Sequence, residues 1–201
     1  MEPSLQDQLR RLLRATHPPR GTTPGVQDDS ESNLTLPIVV VSRPPGSRAA
    51  DSWAIAVVTD KRSHQCRVFH VSHAYDRHGM RAPGWTVFAE NEVLDRRSDY
   101  AGGVCIGRVD RADLARLEQA LCGSRFPPPM WERWSAETWT VTAIRHLEAQ
   151  GFTIVTYGLD NDHLSVRLTI DAYCARRLTE EQNSAPIFVP LSLSGAERRP
   201  R

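Results

Sequence analysis

The sequence predicts an α+β fold, and three observations carry that expectation. Short apolar, β-branched runs crowd the first half of the chain. Segments with apolar residues at helical spacing, bounded by capping residues and glycine, fill the second half. Strands therefore come first and helices follow, instead of alternating with them.

Taken in order, Ser4 to Arg14 places Leu5, Leu9, Leu12 and Leu13 on one helical face at spacings i, i+4, i+7 and i+8. Residues 17–33, rich in Pro, Gly, Thr, Ser and Asp, read as a flexible linker. Residues 1–33 are thus an N-terminal helical extension, with the leucine face available to the domain or to a protein partner. Leu36 to Ser42 has the composition of a buried strand. Trp53 to Thr59 reads as a second strand. Arg67 to Ser72 reads as a third, with Val68 and His70, after Cys66, on one face and Phe69 and Val71 on the other. Trp85 to Phe88 and Val104 to Val109 are further strand candidates.

Asp110 is positioned to cap a helix carrying Leu114, Leu117 and Leu121, which Gly123 ends. Prolines between Phe126 and Pro129 prevent that helix from continuing. Ser135 can cap the next helix, which runs to Gln150 and stops at Gly151. A last helix spans about Asp162 to Glu180, with Leu164, Leu168 and Tyr173 inward. The main domain is expected at 34–182 and a C-terminal tail at 183–201.

Length and charge narrow the function classes. A chain of 201 residues suits one domain with a core of ordinary size. Its 25 basic and 24 acidic residues nearly cancel, so no strong field points to nucleic acid or an anionic membrane. No apolar run approaches the roughly 18 residues that cross a bilayer, and the first 30 residues lack the apolar centre of a secretory signal. Cys66, Cys105, Cys122 and Cys174 have neither C-x-x-C nor zinc-ligand spacing. Buried thiols in a reducing cytoplasm are the expectation, without a membrane span.

His70 is the most informative titratable residue. On a half-buried strand it is either a general acid or base facing a cleft, or a hydrogen-bonded core histidine. Tyr75 and Asp76 follow closely and are candidate acid–base partners. His64, His73 and His78 lie nearby, but no pair has i, i+4 spacing and no acidic partner is evident, so no metal and no cofactor are assigned. Trp131 and Trp134, after Met130 and three prolines, either pack the long loop or line a ligand pocket with Glu132 and Arg133 at its rim. Trp139 belongs to the core.

Four pieces of sequence carry a resemblance. They are Ser52-Trp53; Phe69-His70-Val71; Trp134-Ser135-Ala136-Glu137-Thr138-Trp139 with Ala143, Leu147 and Glu148; and Val166-Arg167 with Tyr173. Their order and spacing, over about Leu36 to Arg177, resemble a group of small fungal proteins with a permuted papain-like fold, distantly similar to lecithin:retinol acyltransferase. The resemblance implies a small antiparallel sheet packed against helices. It also implies a triad with a histidine base at Ser52, a third polar group at His70 and a cysteine nucleophile at Ala136.

Two of these positions depart from the family pattern. A papain-type cysteine acts as a thiolate generated by an adjacent base. Ala136 has no nucleophilic atom, and Ser52 cannot accept a proton near neutral pH. Ser135 is one residue away, but that step turns a helical side chain by about 100°, and a serine there is expected to be an N-cap. Ser52, His70 and Ala136 are then vestigial triad positions, with Trp53, Trp131, Trp134 and Ser135 lining what remains of a cleft.

Three functions remain open. The first is a catalytically degenerate domain whose cleft binds a small molecule or peptide. The second is a repurposed enzyme of fungal secondary metabolism, running cyclisation or isomerisation by acid–base chemistry through His70, Tyr75 or Asp76. The third is an interaction protein using the Leu5–Leu13 helix. Fold alone does not choose among them.

Overall fold

The β-branched run at the centre of the first strand is buried on both of its faces, with Ile38, Val39, Val40 and Val41 almost wholly inaccessible. That is the burial expected of an interior strand whose residues alternate between two covered sides. The computed structural model describes residues 34–42, 53–75, 81–95, 100, 102–123 and 135–192, with backbone alone at 73–75 and 81–84. The N-terminal helix, Ser52, Asp76, His78, Trp131 and Trp134 lie outside the described residues.

The elements are strands β1 (Thr35–Ser42), β2 (Trp53–Asp60), β3 (Gln65–Tyr75), β4 (Arg81–Val93) and β5 (Gly103–Asp110), helices α1 (Leu114–Cys122) and α2 (Ala136–Ala149), the short strand β6 (Thr153–Ile154), helix α3 (Asn161–Gln182) and strand β7 (Phe188–Pro190). The sheet runs in the order β4-β3-β2-β1-β5-β6, antiparallel throughout, while β7 joins β5 in parallel. β5 carries one extra residue, Ile106, where its pairing shifts between Ile38–Gly107 and Val39–Cys105. At Gly107 the backbone oxygen of Thr153 occupies the space a Cβ would need, so β6 reaches β5 only because the residue is glycine.

The three helices share one face of the sheet. Leu117 and Leu121 of α1, Trp139, Ala143, Ile144 and Leu147 of α2, and Leu164, Leu168 and Ala172 of α3 pack with the β residues Ile38, Val40, Ile55, Phe69 and Val71 into the larger core. The opposite face has a smaller core of Val39, Val41, Ala54, Ala56, Val58, Cys66 and Val68, closed by Leu94 and Tyr100 and flanked by Phe188. The chain is therefore α+β, an antiparallel sheet packed against three helices. Among the described residues no helix is long and apolar enough to cross a membrane.

Several sequence expectations need correction. Asp110 makes no side-chain cap; a 3₁₀ turn, Arg111–Asp113, intervenes before α1. Tyr173 is 59% exposed, not inward. It stands about two and a half turns on from Leu164 and so on the opposite side of α3, whose inner stripe is Leu164, Leu168, Ala172 and Ala175. β4 is far longer than Trp85 to Phe88, extending to Val93 through two glutamates that no apolar pattern signals.

The expected tail also proves structured over 188–192. β7 pairs with Gly103, Val104 and Cys105, and Leu191 is buried. Asp171 anchors this segment. Its carboxylate is buried and accepts from the backbone N–H of Ser192 at 2.9 Å, from the Ser192 hydroxyl, and from Arg167 at 3.0 and 3.2 Å. Arg167 also touches the Ser192 hydroxyl oxygen. A buried carboxylate needs such a set of donors, because desolvation without them is costly.

Candidate functional site

Alternation along β3 divides the sequence-predicted residues between the two faces of the sheet. Phe69 and Val71 point into the helix-covered core, while Cys66 and Val68 belong to the smaller core opposite. His70 takes the side of Cys66 and Val68. It pairs in register with Phe88 of β4, and the two rings stack with centroids 5.5 Å apart and planes 22° from parallel. His70 itself is half-buried.

Two further residues of β4 share that side. Glu90 is the register partner of Val68, and Glu92 that of Cys66. One ligand atom from each of His70, Glu90 and Glu92 lies within 4.8 Å of the other two. Val68, the register partner of Glu90 on the same face, is fully buried in the smaller core. Under Glu92 the Cys66 thiol is pushed up to about 12, first by burial and then by the charge of Glu92. Its S–H donates to the His64 carbonyl at 3.6 Å. Chemically, one imidazole and two carboxylates can pass a proton among themselves or offer nitrogen and oxygen ligands to a cation.

The expectation that no acidic partner accompanies the histidines is thus corrected for His70. Glu90 and Glu92 were legible only as an i, i+2 pair, and they lay beyond the four residues expected to form β4. Their meeting with His70 depends on β3–β4 register, which the sequence does not state.

The start of α2 is built as its sequence predicts. Ser135 has extended backbone, and its hydroxyl accepts from the Thr138 N–H at 3.1 Å. Glu137 in the first turn accepts from the Ser165 hydroxyl and suits the positive end of the helix dipole. Ala136 is 7% exposed and packs in the same core as Trp53, Phe69 and Trp139. Trp53 is itself only 9% exposed, so most of its surface is committed to packing rather than to a ligand.

Ala136 and His70 are not brought together: one faces the helical layer and the other the opposite side of the sheet. Tyr75 ends β3, paired with Arg81 after a register shift beyond His73. Cys66, Cys122 and Cys174 offer no activated nucleophile in place of the missing one. Besides Cys66, burial raises Cys122, with Glu118 adding to the shift, and Cys174, with Asp171 adding to it. Both are displaced away from the thiolate range of a catalytic cysteine. A scan against protein-family models and searches of curated proteins and of solved structures find no match to this chain.

Proposed function

We propose that this chain is a catalytically degenerate papain-like domain that acts by binding a small molecule or peptide. The observation that carries the reading is the one at the start of α2. The position where the resemblance calls for a cysteine holds Ala136, which has no nucleophilic atom and is buried in the core; the implied triad is not assembled, since His70 faces the other side of the sheet. Support for the ancestry comes from the order of elements around three of the four matching pieces. Trp53 opens β2, Phe69-His70-Val71 lies in β3, and α2 begins directly after Ser135.

A second reading, acid–base chemistry without a covalent intermediate, is favoured by the closeness of His70 to Glu90 and Glu92.

Treating the full chain with a serine-directed fluorophosphonate and a thiol-directed epoxide, followed by peptide mapping, tests the first reading. No adduct is expected at Ser135, whose hydroxyl is engaged as a helix cap. Stoichiometric labelling of Ser135 overturns the degenerate reading. The second reading requires that His70→Gln lower turnover of a converted substrate by about 100- to 10,000-fold with unchanged melting.

A further inference from the structure

The convergence of His70, Glu90 and Glu92 needs a cause. Glutamates on a β edge are one way a protein discourages strand pairing with a second copy, and β4 is the edge strand of the described sheet. That role explains acidic residues on β4. It does not explain why both carboxylates are drawn to one imidazole. His70 pairs with Phe88, so Glu90 is its diagonal neighbour and Glu92 is two residues further along the strand. For all three ligand atoms to meet within 4.8 Å, His70 and Glu92 must lean towards each other over Val68. Two carboxylates held that close repel each other when ionised, and a positive charge among them, on the imidazole or on a bound cation, offsets that repulsion.

We propose that His70, Glu90 and Glu92 form a binding site for a divalent transition-metal ion, with Zn²⁺ the best match. One imidazole and two carboxylates give the borderline nitrogen and oxygen donor set that Zn²⁺ accepts. Two ionised glutamates balance the charge of a dication when the imidazole is neutral. Zinc–ligand bonds of about 2.0 to 2.2 Å in tetrahedral geometry place ligand atoms about 3.3 to 3.6 Å apart. The ligand atoms therefore need to close by at most about 1.5 Å. The His70 ring stacks on Phe88, with centroids 5.5 Å apart and planes 22° from parallel. Three protein ligands leave a coordination position for water or for an anionic group of a bound ligand. This site stands on cross-strand geometry alone and does not depend on the binding-domain reading.

The experiment is calorimetric titration of the chelator-treated full chain with Zn²⁺, paired with Co²⁺ absorption. The chain should bind at a site whose Co²⁺ spectrum shows d–d bands without thiolate charge transfer. Glu90→Gln, an exposed and near-isosteric change, should weaken that site at least tenfold, because loss of a ligand exceeds the 10- to 100-fold typical of losing a ligand's own support. Glu92→Gln and His70→Gln should do the same, with far-UV circular dichroism unchanged for Glu90→Gln. Zinc affinity within twofold of the parent in the Glu90→Gln and Glu92→Gln variants overturns the proposal, as does a Co²⁺ spectrum dominated by thiolate ligation or an absence of binding.

Discussion

His70 and Ala136 lie on opposite faces of one sheet, with β3 itself between them. Period-two alternation fixes this, because Phe69 and Val71 on either side of His70 share a core with Ala136. Bringing the imidazole to the helix N-terminus would need a one-residue slip of β3, which would also drive Phe69 and Val71 out of the core.

The first consequence concerns restoring a nucleophile. Ala136→Cys should not generate an acyl-enzyme burst with an activated ester, since a base on the far side of the sheet cannot take the thiol proton. The 100- to 10,000-fold gain that a positioned base supplies should be missing. Stopped-flow measurement against the parent chain decides it: a burst of one equivalent would mean that a base reaches this position after all.

Ser135→Ala should cost about 1 kcal/mol of stability, read from urea unfolding at constant m-value. The Thr138 N–H loses its 3.1 Å acceptor at the first turn of α2. Ser135→Asp should recover most of the loss, because aspartate caps as well as serine and adds a charge favourable to the helix N-terminus. A stability change confined to a few tenths of a kcal/mol in Ser135→Ala would show that solvent caps this turn equally well.

How far the sequence could be read depends on what kind of fact each feature is. Strands β1 and β2 and helix α2 were legible because their signals are local: β-branched runs, and a serine cap three residues before the amide it accepts from. Register facts were not. Glu90 and Glu92 look like surface charge until β4 is paired with β3, and only then do they fall beside His70. β7 was missed for a similar reason. Three residues carry too little pattern to mark a strand, and its stability comes from pairing with β5 and from the buried Asp171, not from its own composition. Tyr173 is exposed because nine residues, about two and a half helical turns, separate it from the inward Leu164.

Glu148 gives a pH signature. The Thr156 hydroxyl, first, and then Arg145 hold its carboxyl below the ordinary glutamate range. A depressed folded-state value stabilises the fold above the unfolded carboxylate range, and that contribution is lost as pH falls through the folded value. Thr156 donates to Glu148 Oε1 at 2.9 Å, and Arg145 bonds Oε2 at 3.0 Å. Thr156→Val should therefore destabilise the domain by about 0.5 kcal/mol at pH 7, at the low end for a charged acceptor because Glu148 is well exposed. The difference between Thr156→Val and the parent should shrink as pH falls below the ordinary glutamate range and Glu148 protonates. Unfolding curves at pH 7 and pH 3 test this, and a difference that grows on acidification refutes the assignment.

The last prediction concerns Asp171, which ties the end of the chain to α3. Its carboxylate is 5% exposed and takes donors from Arg167 four residues earlier and from both the backbone and the hydroxyl of Ser192. Removing one member of such a network strands the others with unmet hydrogen-bonding capacity, so Asp171→Ala should cost about 3 kcal/mol. Asp171→Asn keeps a carbonyl acceptor of the same shape and should cost less. Location separates this latch from simple core damage. The Ser192 N–H loses its acceptor directly, and the Leu191 N–H, which bonds the Cys105 carbonyl at 3.1 Å, loses the clamp that holds it there. Hydrogen exchange of these two amides should accelerate beyond what the drop in global stability explains, while the β1–β2 amides exchange only through global unfolding. Since Phe188 flanks the smaller core while Leu191 lies in the helix-covered one, both faces should loosen where they meet 188–192. Uniform acceleration across all strands would instead make Asp171 a global stabiliser with no particular hold on 188–192.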